Sequence, residues 1–165
     1  MNISGPATSV EAACERVLRG LPLWFGIEES LLQYASDTGR LATFVAEEAG
    51  LVVGFLSLQQ HFAASWEVHC IAVDAAFRNQ GVGKRLHRFV EGWLAKRGAK
   101  VLQVKTLAPS HPSPEYARTR AFYAALGYVP LEVFPTLWAA HLPVLQLVKP
   151  LAMAARSASS SCPAP

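Results

Sequence analysis

Charge is scarce in this chain, and so are cysteine and methionine. Asp, Glu, Lys and Arg make up 16% of its 165 residues, and the net charge is +3. That excess falls well short of the basic face that nucleic-acid binding needs, so no nucleic-acid partner is expected. Cys14, Cys70 and Cys162 are an odd and scattered set without Cys-x-x-Cys or Cys/His zinc spacing. They predict no metal site and a reducing, cytoplasmic setting. No run approaches the ~18 apolar residues of a membrane span, so no membrane partner is expected. The start, MNISGPATSVEA, lacks a basic region followed by an apolar core, so no signal peptide is expected. Core material is plentiful: 52% of residues are hydrophobic, enough for one compact domain over 1–150. The remainder, 151–165, is small, polar and low in complexity and is expected to be disordered.

The most informative stretch is EVHCIAVDAAFRNQGVGK, residues 67–84. Glu67 to Val73 reads as a buried strand, Asp74 to Phe77 as a turn, and Lys84 opens a helical pattern. Between them lies Arg78-Asn79-Gln80-Gly81-Val82-Gly83. Two glycines one residue apart let the backbone pass close to a ligand without a Cβ in the way. The free N–H groups of the helix's first turn point at the same spot, with the positive end of the helix dipole behind them. Arg78 and Lys84 add two cations, so a phosphate or pyrophosphate is the natural occupant. It is not a P-loop: Arg78 stands where the first glycine belongs and Arg85 where Ser or Thr belongs. It is not a dinucleotide fingerprint either, because Leu86 stands where the third glycine belongs.

Around this stretch the pattern alternates. Met1–Ser4 is barely long enough for a strand. Thr8-x-x-Glu11 is a capping-box signature for a helix over 8–20. A second helix is predicted over Ile27–Ser36, and Thr43–Glu47 with Leu51–Gln60 reads as a hairpin turned at Glu48-Ala49-Gly50. His61 to Ser65 is a link. The helix after the glycine loop spans about 81–97, with Val82, Leu86, Phe89, Val90, Trp93 and Leu94 toward the sheet. Val101–Thr106 is a strand. Ser113 caps a helix that has Pro114 at its first position and ends at Gly127. Tyr128–Phe134 and His141–Val148 are the last strands, joined by a loop over 135–140.

Arg78, Gly81 and Gly83 resemble the Arg/Gln-x-x-Gly-x-Gly/Ala loop of the GNAT acyl-CoA N-acyltransferases. Glu67, upstream on the strand, has the spacing of the general base of several members. Thr119 to Tyr128 resembles the family's second signature, a helix ending in Tyr-x-x-x-Gly-aromatic, here Tyr123, Gly127 and Tyr128. The resemblance covers roughly 40–149. It implies an α/β (α+β) domain: a mixed, twisted sheet of six or seven strands, helices on both faces, and two splayed central parallel strands. It implies acetyl-CoA as co-substrate, held by the main chain of Ile71, Ala72 and Val73 and by the loop from Arg78 through Lys84. The expected reaction is acetyl transfer to a primary amine by direct attack in a ternary complex, since no cysteine is placed as an acyl carrier. The alternatives are a non-catalytic CoA-binding or regulatory module, and the same chemistry with a larger acyl-CoA.

An alkyl ammonium of pKa about 10.4 must lose a proton before it can attack, so a base is needed. Glu67 is the candidate base, and His69, on its face by strand periodicity, orients the water or relays the proton. Tyr123 is the candidate acid beside the thioester sulfur. Many members carry an asparagine where this chain has Tyr116, and Arg118 or Arg120 either substitutes or is a surface charge. Trp24 and Phe25 either line the acceptor cleft or pack in the core. His111, Trp138 and His141 are expected in loops walling that cleft. A small-molecule amine is the first expectation for the acceptor and a protein amine the second. A homodimer is left open.

Overall fold

The fold is taken from a computed structural model that describes residues 1–152. In chain order the elements are β1 (Asn2–Ala7), α1 (Glu11–Arg19), α2 (Glu28–Arg40), β2 (Ala42–Glu48), β3 (Leu51–Phe62) and β4 (Ser65–Val73). A 3₁₀ turn (Ala75–Phe77) leads to α3 (Val82–Ala95), β5 (Val101–Leu107), α4 (Pro114–Ala125), β6 (Val129–Ala139) and β7 (Leu142–Pro150). The strands form one sheet in the order β1-β2-β3-β4-β5-β7-β6. Every pairing is antiparallel except β4 with β5, which is parallel. The connection from β4 to β5 is therefore a crossover, and α3 supplies it.

The sheet is covered on both faces. Val45, Val52, Phe55, Cys70 and Ala72 pack with Cys14, Val17 and Leu18 of α1 and Leu31 and Ala35 of α2. Phe44, Val53, Leu56, Val68 and Val104 pack on the other face with Val82, Leu86, Val90 and Leu94 of α3 and Tyr123 of α4. Along β4, Trp66 and Val68 face α3 whereas Cys70 and Ala72 face α1 and α2, so the strand changes which side chains it turns to each face between Val68 and Cys70. Among the described residues no helix is long and apolar enough to cross a membrane.

Several boundaries differ from the sequence expectation. The first helix begins at Glu11, with Val10 at its cap and no side-chain capping bond, so the Thr8 capping box is not formed. Residues up to Ala7 are instead drawn into β1 by pairing with β2. Helix α2 runs on to Arg40, which brings Asp37 and Thr38 into the buried face. The expected link at 61–65 and loop at 135–140 are mostly strand: β3 and β4 turn at 63–64, and β6 and β7 turn at 140–141. Periodicity missed these tips because both hairpins project beyond the core. Phe89 packs edge-on against Phe44 of β2 while staying 40% exposed, and His87, which the periodicity did not assign to the buried face, is fully buried. The helix capped by Ser113 is as expected, its hydroxyl accepting from the Tyr116 N–H. Pro150 ends β7, and the Leu151 N–H bonds to the Lys100 carbonyl. The tail expected to be disordered lies, from residue 153, outside the described residues.

Candidate active site

The two central strands part. The parallel register runs from Ser65↔Val101 to Val68↔Val104 and stops there. Strand β4 continues with β3 as far as Val73↔Gly54, and β5 continues with β7 as far as Leu107↔Val144. The parting coincides with a β-bulge. Val68 and Cys70 pair with the consecutive residues Leu58 and Ser57, so His69 is the extra residue on β4. A bulge bends and twists its strand, which accounts for the divergence. From His69 onward the edge of β4 facing β5 has no registered partner among the described residues, and a cleft of about 670 Å³ opens between them.

One end of the cleft is built for an anion. The Asp74 carboxylate accepts the Ala76 N–H and caps the 3₁₀ turn. Asn79 (φ 59°) and Gly81 (φ 78°) then adopt left-handed backbone and aim α3 into the cleft. The first bond of this helix is Arg85 N–H to the Gly81 carbonyl, so the N–H groups of Val82, Gly83 and Lys84 find no acceptor within it. Gly83 has a separate reason to be glycine: a Cβ there would lie 3.2 Å from the Phe122 ring of α4. Arg78, Lys84, Lys105 and Arg118 line the cleft, and no carboxylate does among the described residues. Burial and then the neighbouring Arg118 push the Arg78 guanidinium below its ordinary value. The nearby Asp74 carboxylate opposes this shift without reversing it. Gln80 does not line the cleft, and its side chain donates to the Ala76 carbonyl.

Trp24 ties one wall to the other. Its indole N–H donates to Thr119 Oγ1 (3.1 Å), its carbonyl accepts from the Tyr116 hydroxyl (3.4 Å), and Arg78 lies 4.1 Å over its ring. Trp24, Phe25 and Tyr116 all line the cleft. Arg120 does not, and it donates instead to the Leu107 carbonyl (2.8 Å).

At the deep end stand Tyr123, Thr106 and Cys70. Tyr123 is 3% exposed, and its hydroxyl forms no hydrogen bond within the described residues. Burial, then Cys70 and Tyr34, push this phenol far above its ordinary value, so it keeps its proton. Thr106 is 2% exposed with an unpartnered hydroxyl. Burial likewise pushes the Cys70 thiol far up, so it is not a ready nucleophile.

The structure separates the two titratable β4 residues. His69 lines the cleft, and its Nε2 lies 2.9 Å from Asp37 Oδ2 of α2. Glu67 is not among the lining residues. Its Oε2 accepts from Lys105 Nζ (2.7 Å), His61 Nε2 (2.7 Å) and Gln103 Nε2 (3.2 Å). Burial pushes the Glu67 carboxyl up, but the bonds from Lys105 and His61 outweigh it and hold the group below the usual carboxylate range. A second cavity of about 360 Å³ adjoins the cleft and shares Tyr34 and His69 with it; Glu29, Ser30, Gln33 and Asp37 complete it. Of the three residues expected in the acceptor walls, Trp138 lines the cleft and His111 and His141 do not. The sequence reading missed Asp37, Lys105 and Thr106. For Asp37 the available signal was its spacing from Leu31, Tyr34 and Ala35, which continues the apolar face of α2.

A family model described as acetyltransferase (GNAT) domain matches residues 39–130. Solved structures share the fold at low sequence identity. An aminoglycoside 6'-N-acetyltransferase complexed with coenzyme A is 20% identical at a TM-score of 0.73, covering 93% of this chain and 99% of that one. A GNAT-family protein from Desulfovibrio desulfuricans is 16% identical at 0.78, covering 92% and 99%. The ribosomal-protein-S18-alanine N-acetyltransferase from Escherichia coli is 23% identical at 0.73, covering 94% and 97%. No curated protein sequence matches the chain.

Proposed function

The chain belongs to the GNAT acetyltransferase family, and from that premise we propose that it moves an acetyl group from acetyl-CoA to a primary amine by direct attack within a ternary complex. The observation that carries this reading is the parting of β4 from β5 beside the N-terminus of α3. A pyrophosphate fits at the first turn of α3, where the N–H groups of Val82, Gly83 and Lys84 and the side chains of Arg78, Lys84 and Arg118 converge. The unpaired edge of β4 at Ile71, Ala72 and Val73 fits an extended amide-bearing arm, which would add to the sheet as a strand does. The buried hydroxyl of Thr106, unpartnered in the cleft wall, also suits a polar ligand.

Acetyl-CoA supplies an activated acyl thioester. The chain's part is to orient it, exclude water and manage protons. A main-chain N–H of β4 meets the negative charge that builds on the thioester oxygen. Tyr123 keeps its proton and so serves the departing sulfur as a hydrogen-bond donor. Cys70, held as a thiol, takes no acyl group, which supports direct transfer. Strand β4 offers two candidates for deprotonating the amine, Glu67 and His69. The adjoining 360 Å³ cavity favours a small-molecule acceptor over a protein segment. The free thiols of Cys14 and Cys70 support a reducing, cytoplasmic setting.

The test is release of CoA thiol from acetyl-CoA with three probes: kanamycin, spermidine and a peptide with an N-terminal alanine. The reading expects amine-dependent release with at least one. Tight binding of acetyl-CoA without release to any amine would favour a non-catalytic CoA-binding module.

A further inference from the structure

We propose that His69, held by Asp37, is the base that takes the acceptor's proton, and that Glu67 acts as a clasp for the sheet below the cleft. The inference rests on the amine-acetylation reading above. Its geometry is specific. His69 stands at the bulge where β4 leaves β5, and it faces both the cleft and the adjoining cavity. It is therefore the titratable β4 side chain at the junction where an amine would meet the acyl group.

Asp37 fixes the ring. Its side chain is 7% exposed and sits on the inner face of α2. One oxygen accepts from Gln33 Nε2 (3.1 Å) and Arg40 (2.8 Å), and the other from His69 Nε2 (2.9 Å). Burial pushes this carboxyl up, but the bonds from Arg40 and Gln33 outweigh it and keep it anionic at neutral pH. A carboxylate accepting from Nε2–H leaves Nδ1 with the lone pair, and Nδ1 forms no hydrogen bond within the described residues. Tyr34 packs against the ring at 5.3 Å. The titratable groups that line the two cavities with His69 include Asp37, Tyr34 and Glu29 from α2, Cys70 on β4, Lys105 from β5, and Tyr116 and Tyr123 from α4, with Arg78, Lys84 and Arg118 farther along the cleft wall. Asp37 alone among them bonds to it. Glu67 is built differently: its Oε2 is occupied by donors from β3 and β5, and the residue is set back from the cleft.

The step balances. The ammonium gives one proton to His69 Nδ1, and the freed lone pair attacks the thioester carbon. As C–N forms and C–S breaks, the nitrogen's second proton passes to the leaving thiolate. The imidazolium then returns its proton to solvent.

The test uses the full chain. Long-range ¹H–¹⁵N correlation spectra, with the His69 signals assigned by His69→Gln, report the tautomer without any acceptor. The Nε2–H tautomer is expected in the wild type, with loss of that preference in Asp37→Asn. The Nδ1–H tautomer, or no change in Asp37→Asn, would overturn the proposal. With whichever amine probe turns over, His69→Gln lowers kcat about 10²-fold at unchanged affinity for acetyl-CoA. Asp37→Asn also lowers kcat at unchanged affinity for acetyl-CoA, because the ring loses the carboxylate that fixes its tautomer, and Asp37→Glu recovers part of the loss. Glu67→Gln lowers kcat far less than His69→Gln does. A loss of kcat in Glu67→Gln that matches or exceeds the loss in His69→Gln makes Glu67 the base. If Asp37→Asn does not fold, His69→Gln and the wild-type tautomer still decide. If no probe turns over, the functional reading fails, while the spectra judge the dyad separately.

Discussion

Lowering the pH from 7.5 to 5 should loosen α3, the helix whose first turn lines the cleft, through one side chain. His87 lies on that helix and is fully buried. Its Nε2 lies 2.8 Å from the Tyr128 hydroxyl, and its Nδ1 stands 3.2 Å from Glu91 Oε1. Glu91 is itself paired with Lys149, which weakens it as a counter-ion for the ring. Burial dominates and lowers the His87 value from 6.5 to about 4. A depressed histidine means that the unfolded chain binds more protons than the folded one between those two values, so stability rises with pH across that window. The full difference is about 3 kcal/mol, of which about 2 kcal/mol is lost by pH 5. Glu67 and Asp37, held below their ordinary 4.5 and 3.8, contribute stability that is lost only at lower pH. Urea unfolding at pH 7.5 and pH 5, followed by tryptophan fluorescence, measures the change. His87→Gln should be the less stable protein at pH 7.5 yet lose about 2 kcal/mol less on acidification. Equal losses in the two proteins would refute the assignment.

Two further substitutions probe the cleft. Gly81 holds φ at 78°, and a Cβ added there would have nothing within 4 Å, so Gly81→Ala meets backbone strain without a clash. It should cost about 1–2 kcal/mol in a thermal or chemical melt and weaken acetyl-CoA binding by calorimetry. Tyr123→Phe removes the hydroxyl and keeps the ring packed between Phe122 and Tyr128. Steady-state kinetics should show turnover falling roughly tenfold at little-changed acetyl-CoA affinity, as expected for one lost hydrogen bond; an unchanged rate would return Tyr123 to the core.

Much of this architecture was legible because it follows from local chemistry. Gly81, Gly83 and the apolar stripe of α3 declare a helix entered through a tight loop, and Ser113-Pro114 declares the start of α4. The parting of β4 and β5 was anticipated from the family resemblance alone. A bulge at His69 leaves no mark on alternation, since Val68 and Cys70 are both apolar and buried whichever way the strand bends. The contrast between Glu67 and His69 was likewise hidden. Their environments are set by Lys105, His61 and Asp37, which arrive from three other elements. Asp37 lay just past the predicted end of its helix, so sequence reasoning left it outside the face it occupies.

The central claim is that the opening between β4 and β5, with the first turn of α3 at its mouth, is an acyl-CoA site. Calorimetric titration of the purified chain with acetyl-CoA, and separately with CoA, tests it most directly. Micromolar binding of both at one site per chain, weakened by Gly81→Ala, is the expected result. Folded protein that binds neither would contradict it.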